Sequence, residues 1–203
     1  MKLNFRPLDD GLRHEYCLTC RAEAVHWEEH AGRRSCVCRA CGHRAERALV
    51  VDPEAHWWVE PDGEYWHETS GVFVRVPGPR FLLFDRTAYP FALTVPAGHV
   101  APGEDPHRAA LRELREETGI TGGTLRHLGD DPIPGDSCRR GADAHRWHTY
   151  LLDLPAEPEI ALNDEGVAAV WLPLSELLGD PPRRMATYAV RTLIRCYEGE
   201  LTS

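Results

Sequence analysis

The chain has 203 residues, 42% hydrophobic and 27% charged, and its 23 Lys and Arg against 32 Asp and Glu leave a net charge of −9. That balance supplies a core for one or two domains and excludes a disordered tail or a fibrous repeat. No apolar run of about 18 residues occurs, so no transmembrane helix and no membrane partner are expected. The start, MKLNFRPLDDGLRHEYCLTC, carries charges where a signal peptide needs an apolar stretch, so the expected compartment is the cytoplasm. Net acidity argues against a protein that only binds nucleic acid, which needs a basic footprint.

The charge is uneven, +2 over residues 1–47 and −11 over residues 48–203, which suggests two parts. Of seven cysteines, five lie between 17 and 41, and Cys138 and Cys196 stand apart. An odd count without a signal peptide argues against a secreted disulfide framework. Cys17-Leu-Thr-Cys20 and Cys38-Arg-Ala-Cys41 are two C-x-x-C pairs with 17 residues between them. Two residues between thiols let both sulfurs face one point, and a second pair completes a tetrahedron. That donor set suits zinc, and it clips a segment too poor in large apolar side chains to fold alone. A small zinc-ribbon domain is therefore predicted over residues 1–50, with Cys17, Cys20, Cys38 and Cys41 as ligands. Cys36 is an alternative to Cys38, and His43 a weaker substitute; buried free thiols and C-x-x-C redox chemistry are the competing readings. Gly42 suits the tight turn after the second pair. Four thiolates leave no open coordination position, so the site is structural. Arg33, Arg34, Arg39, Arg44 and Arg47 crowd the ribbon, but Glu23, Glu28, Glu29 and Glu46 largely balance them, which favours a solvated face over a nucleic-acid contact.

Ala48–Val51 reads as a short strand, and residues 51–68 as a connecting segment whose Pro61-Asp62-Gly63 turns between two aromatic runs. Trp57, Trp58, Tyr65 and Trp66 are expected to pack the ribbon onto the main domain, which is expected over 69–203. Val72–Val76 and Phe81–Phe84 form a hairpin about Pro77-Gly78-Pro79. Phe91–Val95 is a third short strand, which Pro96-Ala97-Gly98 breaks. A helix runs from about Pro106 to Thr118, with Asp105 as N-cap, Pro106 at the first position and Gly119 as the stop. Strands come next near 124–129, 146–154 and 166–172, then a short helix near 174–179. A longer helix near 183–198 buries Ala186, Val190, Leu193 and Tyr197. The class is α+β, with a mixed sheet.

The chemistry concentrates on the first helix. Glu113, Glu116 and Glu117 are spaced i, i+3 and i+4, so they share one face and repel. A divalent cation resolves the conflict, and oxygen donors suit Mg²⁺ or Mn²⁺ rather than zinc. Leu111, Leu114 and Ala110 hold the helix to the sheet. Arg112 can pair with a glutamate and fix its rotamer, and Glu104 can reach the same cluster. A surface helix with solvated charges is the plain alternative. Against it stands the full pattern: Gly98, five residues, Glu104, seven residues, then Arg112-Glu113-Leu-x-Glu116-Glu117-x-Gly119-Ile120. This stretch resembles the Nudix hydrolase signature at every fixed position, and the strand order is similar over about 70–200.

The resemblance implies an α/β/α sandwich with a mixed sheet, preceded here by the ribbon, and hydrolysis of the pyrophosphate bond in a nucleoside diphosphate linked to another moiety. It implies that Glu113, Glu116, Glu117 and the Gly98 carbonyl hold catalytic Mg²⁺ or Mn²⁺, that Glu104 supports the site, and that Arg112 orients a glutamate. Glu113 and Glu165, the latter in Asn-Asp-Glu-Gly before the Val170-Trp171 strand, are the candidate general bases. A ribbon directly before such a domain is similar to the arrangement in NADH pyrophosphatases, but their S-Q-P-W-P-F-P-x-S stretch after the box is absent. Pro132-Ile-Pro134 resembles the proline placed beyond the box in ADP-ribose pyrophosphatases. The expected partner is a small nucleotide substrate of NAD(H) or ADP-ribose type, and no substrate-binding residue is assigned. Trp147, Tyr89 or Phe91 could stack a base, and His145 and His148 could touch phosphate, although burial is the commoner fate of such residues. Two other readings stay open: a nucleic-acid-binding regulator with a ligand-sensing Nudix fold, and a homodimer formed through the ribbon.

Overall fold

Alternation along the central strands divides the apolar residues between two faces, and each face recruits its own helices. The computed structural model describes residues 1–30, 33–179, 182 and 184–203, with the side chains of residues 30 and 33 set aside. In chain order, β1 (His14–Tyr16), β2 (Val25–His30), β3 (Arg33–Cys38), β4 (Arg44–Ala45) and β5 (Leu49–Val51) build the ribbon. β2, β3 and β4 form one antiparallel sheet, and β1 pairs antiparallel with β5. Then come β6 (Trp57–Val59), β7 (Tyr65–Val76), β8 (Arg80–Arg86), β9 (Leu93–Thr94), β10 (Ala97–His99), α1 (Pro106–Thr118), β11 (Arg126–Pro134), β12 (Ala144–Asp153), β13 (Gly166–Pro173), α2 (Ser175–Leu178), α3 (Tyr188–Cys196) and α4 (Glu198–Thr202).

The larger sheet runs β11-β12-β7-β8-β13, with β6 and β10 also paired to β7 and β9 to β8. It is mixed: β12 lies parallel to β7, while β7–β8, β8–β13 and β11–β12 are antiparallel. Val72 and Val74 of β7, Leu82 of β8, and Tyr150 and Leu152 of β12 face α1 through Ala110 and Leu114. Their neighbours Phe73, Phe81, Leu83 and Leu151 face the opposite way, onto Ala189, Val190, Leu193 and Ile194 of α3. The period-two alternation of three adjacent strands thus produces the expected helix–sheet–helix layering. Among the described residues no helix is long and apolar enough to cross a membrane.

The ribbon is packed against this sheet. Leu3, Tyr16, Leu49 and Val51 share a buried cluster with Tyr65 and Ala142, Trp57 packs on its edge, and the Tyr65 hydroxyl donates to the Val50 carbonyl at 2.9 Å. Trp58 and Trp66 stack on one another at 5.9 Å. β7 runs without interruption through the expected domain boundary at 68/69.

The helix and hairpin expectations hold closely. The Asp105 side chain accepts the Arg108 N–H at 3.1 Å, Pro106 opens α1, and Gly119 closes it in the left-handed region. Three expectations need correction. The strand expected over Phe91–Val95 is only Leu93–Thr94, and Ala97–His99, expected to be a break, is a strand on β7. Pro96 lacks a donor but still offers its carbonyl, which accepts Val72 N–H at 2.9 Å. The last long helix begins at Tyr188 rather than near 183, itself outside the described residues. Residues 185–187 run extended beside β9, where Leu93 N–H donates to Met185 and Thr187 N–H to Leu93, and the Thr187 side chain then caps α3. Tyr197 ends α3, and α4 comes directly after it.

Gly71 lies where β7, β10 and Trp147 meet: a Cβ there would sit 2.6 Å from the Trp147 ring and 2.9 Å from Ala97 Cβ, both in packed surroundings. Gly71→Ala is expected to destabilise the protein by about 1–3 kcal/mol through overpacking. Urea unfolding of the two proteins side by side measures this, and an unchanged midpoint would show that β10 has room to move.

Candidate active site

β10 and the first three turns of α1 press a backbone against a carboxylate. Ala97, Gly98 and His99 pair with Gly71, Ser70 and Thr69 of β7, and the Ser70 hydroxyl donates to the Pro106 carbonyl at 2.8 Å, so one strand fixes both β10 and the start of the helix. Gly98 then lies directly over Glu113, and a Cβ at Gly98 would collide with that carboxylate. No other residue type fits there without moving Glu113.

Arg112 organises the acids around this contact. Its guanidinium holds Glu104 with two bonds, Nε to Oε1 at 3.0 Å and Nη2 to Oε2 at 2.9 Å. The same side chain pairs with Glu113 and donates to the His99 carbonyl at 3.0 Å. Glu104 Oε2 also accepts the Ala101 N–H at 3.0 Å, which ties the intervening loop. The bond from Arg112 holds the Glu104 carboxyl below its ordinary range, and the bond to Glu104 raises Arg112 in turn. Burial pushes Glu113 up; Arg112 opposes this, while Glu116 and Glu165 add to it. Glu117 is 3% exposed, and burial pushes it up to about 8 against a 2.7 Å bond from the Ala97 N–H, with Glu113 and Glu165 adding repulsion. Glu116 stays on the open side, with its carboxylate 3.6 Å from both Arg112 and Arg115.

Glu165 arrives from the turn before β13. Its backbone accepts Thr87 N–H at 3.1 Å, and its carboxylate takes a 2.9 Å bond from Arg139. It shares a cleft of about 520 Å³ with Gly98, Arg112, Glu113, Arg139 and Arg140, a size suited to a small-molecule ligand. The structure therefore gathers Gly98, Glu104, Arg112, Glu113, Glu117 and Glu165 at one end of the sheet. The three helix glutamates do not close on one point. Among the described residues, two groups have all their donor atoms within 4.8 Å of one another: the ribbon cysteines, and His67, His99, Cys138 and His145 behind the cleft. What the glutamates present is a half-buried set of carboxylates, two of them, Glu113 and Glu117, raised by burial first and by neighbouring acids second, under a backbone position that only glycine fills without moving Glu113. That donor set fits a hard divalent cation.

Sequence reasoning missed Arg139, whose one signal is an arginine pair in a loop with Gly on both sides. The aromatic and histidine candidates divide. Trp147 is core, its Nε1–H held by Asp136 at 2.9 Å. His148 lies between Glu68 and Asp130, 2.7 Å from each. Tyr89 bonds Ser137 at 2.8 Å and lies under Arg47, and with Phe91 it lines a separate hollow against the ribbon.

The family model for the NUDIX domain matches residues 66–193. The chain belongs to the Nudix family. It is similar to the asymmetrical bis(5′-nucleosyl)-tetraphosphatase of Caenorhabditis elegans, 51% identical over 41 residues, 20% of this chain and 30% of that protein. The matches span about a third of the length of the curated relatives, 36% and 30%. The fold is also that of a C. elegans Ap4A hydrolase binary complex (TM-score 0.53, 24% identity, 66% of this chain and 97% of that one). It is shared by the NUDIX domain of Shewanella oneidensis NrtR complexed with ADP ribose (TM-score 0.55, 18% identity, 66% and 87%).

Outside the matched stretch, the ribbon thiols converge. Cys17 Sγ lies 3.7 Å from Cys41 Sγ, and Cys20 Sγ 3.6 Å from Cys38 Sγ. A tetrahedron with metal–sulfur bonds of about 2.3 Å has edges of about 3.8 Å. Cys36 stands outside this group of four: its thiol donates to the Arg47 carbonyl at 3.1 Å and packs with Ala48 and Val50. The two knuckles fold alike. Arg21 N–H returns to the Cys17 carbonyl at 3.0 Å, and Gly42 N–H to the Cys38 carbonyl at 2.8 Å. Both fifth residues are left-handed, at φ 63° for Arg21 and 75° for Gly42, and only the second is glycine. Relief of that backbone cost outweighs glycine's added chain entropy. Arg21→Gly is therefore expected to stabilise the ribbon by about 0.5–1 kcal/mol, read as a higher midpoint in chemical unfolding. A drop in midpoint would mean that the Arg21 side chain contributes more than its backbone costs.

Proposed function

We propose that this protein is a diphosphohydrolase that cleaves the pyrophosphate bond of a nucleoside diphosphate linked to another moiety, with NAD(H) and ADP-ribose as the leading substrate types. The carrying observation is the close approach of Gly98 to the Glu113 carboxylate under the Arg112–Glu104 pair. Glu113, Glu116, Glu117 and the Gly98 carbonyl would hold Mg²⁺ or Mn²⁺. Such an ion supplies charge neutralisation of the diphosphate and acidification of a bound water. The names of the relatives, an Ap4A hydrolase and a domain complexed with ADP ribose, agree with an adenine nucleotide carrying linked phosphates. Zinc is the proposed occupant of Cys17, Cys20, Cys38 and Cys41, in a structural role.

The protein's own side chains divide the work. Arg112 positions Glu113 and Glu104 and stays charged throughout. Arg139 lies on the far wall of the cleft, where a guanidinium can meet a phosphate oxygen once it releases Glu165. Glu165 is the better placed of the two candidate bases: it is open to the cleft, whereas Glu113 is held by Arg112 and buried beneath Gly98. The ribbon's arginines favour this reading over a nucleic-acid reader. Arg44 pairs with Glu28 at 2.8 Å, Arg47 with Asp143 at 2.6 Å, and Arg34 lies 4.9 Å over the Trp27 ring, so these three already have partners within the protein.

Incubation with a panel of nucleoside diphosphate compounds, in Mg²⁺ and separately in Mn²⁺, is expected to find at least one compound cleaved at the phosphate bridge. Glu116→Gln should lower kcat by about 10²–10³-fold, as loss of a preorganised electrostatic group does. Glu165→Gln should lower kcat by about 10²–10⁴-fold with little change in KM, as loss of a general base does. No turnover with either metal, or native rates in Glu116→Gln, would overturn the assignment.

A further inference from the structure

Behind the cleft, four side chains of metal-ligand type from four separate segments meet: His67 on β7 and His145 on β12, both buried, and His99 on β10 and Cys138 in the loop after β11, both half-buried. All four offer donor atoms within 4.8 Å of one another. We propose that they form a second, closed zinc site inside the Nudix domain, distinct from the ribbon thiols and from the glutamate cluster.

The geometry is that of a coordination shell around a common centre. His67 Nδ1 lies 3.0 Å from His99 Nε2 and 3.7 Å from Cys138 Sγ. Zinc bonds of about 2.0–2.1 Å to nitrogen and 2.3 Å to sulfur give tetrahedral edges of about 3.3 Å and 3.5 Å. The rings meet edge to face, with His67 4.8 Å from His99 and 5.6 Å from His145 between centroids, so their nitrogens point inward rather than stacking. A hydrogen-bonded core explains the arrangement less well, because His67 Nδ1 faces two partners at once and has at most one proton to give.

The fourth ligand has the support that metal-bound imidazoles take. His145 Nδ1 donates to Asp136, to its carbonyl at 3.0 Å and its carboxylate at 3.1 Å. That fixes the tautomer and leaves Nε2 as the free lone pair. Asp136 is in turn held by the Trp147 indole at 2.9 Å. His67 and His145 are 1% and 3% exposed, so the site is sealed on their side. Three imidazoles and one thiol select zinc over Mg²⁺ or Mn²⁺, and four protein ligands leave no open position, which marks a structural site.

Zinc here would staple β7, β10, β12 and the loop carrying Cys138. His99 is shared with the glutamate site through its carbonyl, which accepts Arg112, while its ring turns to the histidine cluster. The staple would therefore set the position of Gly98 from behind.

The test uses the whole 203-residue chain, purified with zinc present and exchanged into zinc-free buffer with excess Mg²⁺ to keep zinc off the glutamates. Elemental analysis is expected to find two zinc ions per chain. X-ray absorption at the zinc edge should show both nitrogen at about 2.0 Å and sulfur at about 2.3 Å. The double substitution Cys138→Ser with His145→Gln should lose one of the two equivalents and leave a sulfur-only shell. One zinc per chain in a sulfur-only shell for the native protein overturns the proposal. So does a nitrogen signal that survives in a folded double variant. If the variant does not fold by circular dichroism, the native shell alone decides. Hydrolysis is not the readout, so this site and the hydrolase assignment can fail separately.

Discussion

The Arg112 guanidinium is the contact around which the cleft is built. One planar side chain on α1 satisfies Glu104 twice, Glu113 once and the His99 carbonyl once, joining the helix, the loop before it and β10. Five donors in a fixed fork allow this, and a lysine could not reproduce it. Without that cation, the Glu113 carboxylate would sit uncompensated beneath Gly98, in a place where burial already penalises its charge. The arrangement is directional: Arg112 bonds Glu104 and Glu113 closely and meets Glu116 only at 3.6 Å, so Glu116 stays on the open side. Arg112 thus supplies order, and the remaining acidity leaves a donor set that fits a hard divalent cation.

The sheet gives that order a rigid base. β7 is buried on both faces and paired along its length with β12, β10 and β6, so its Ser70 can fix β10 by main-chain bonds and α1 by a hydroxyl. Close packing transmits position here, because β10 has Gly71 beneath it and Trp147 beside that.

What the sequence displays depends on how local the cause is. Capping at Asp105, Pro106 and Gly119 acts within one turn, so α1 was legible almost to the residue. The two cysteine knuckles and the Gly98–Ile120 pattern are likewise short-range. The choice between Cys36 and Cys38 was not legible, because it turns on which thiol reaches Cys20 across the ribbon. β10 was hidden for a similar reason. Its pairing partner lies on β7, far back in the chain, and the Pro96 that reads as a break still lends its carbonyl to that strand. α3 starts late because residues 185–187 are held along β9 by bonds that no local pattern reports. Glu165 was legible as a turn residue, but its partner Arg139 was not. The four side chains behind the cleft have no spacing signature at all; the parallel pairing of β12 with β7 is what brings His145 opposite His67.

The loop of residues 136–143 ties these observations together. Asp136 anchors Trp147 and His145, Ser137 meets Tyr89, and Arg139 reaches Glu165 in the cleft. On its other side the loop lies along β5: Ala48 N–H donates to Arg139 and Val50 N–H to Arg140, while Arg140 pairs with Asp52 at 2.9 Å and Asp143 with Arg47 at 2.6 Å. Gly141 sits so close to the ribbon that a Cβ there would lie 2.6 Å from the Ala48 carbonyl oxygen. A displacement of β5 would therefore carry Arg139 with it and change what Glu165 faces. The ribbon brings its four thiols together and, through this loop, holds one wall of the cleft. That makes it part of the frame of the candidate site rather than an appendage tethered to it.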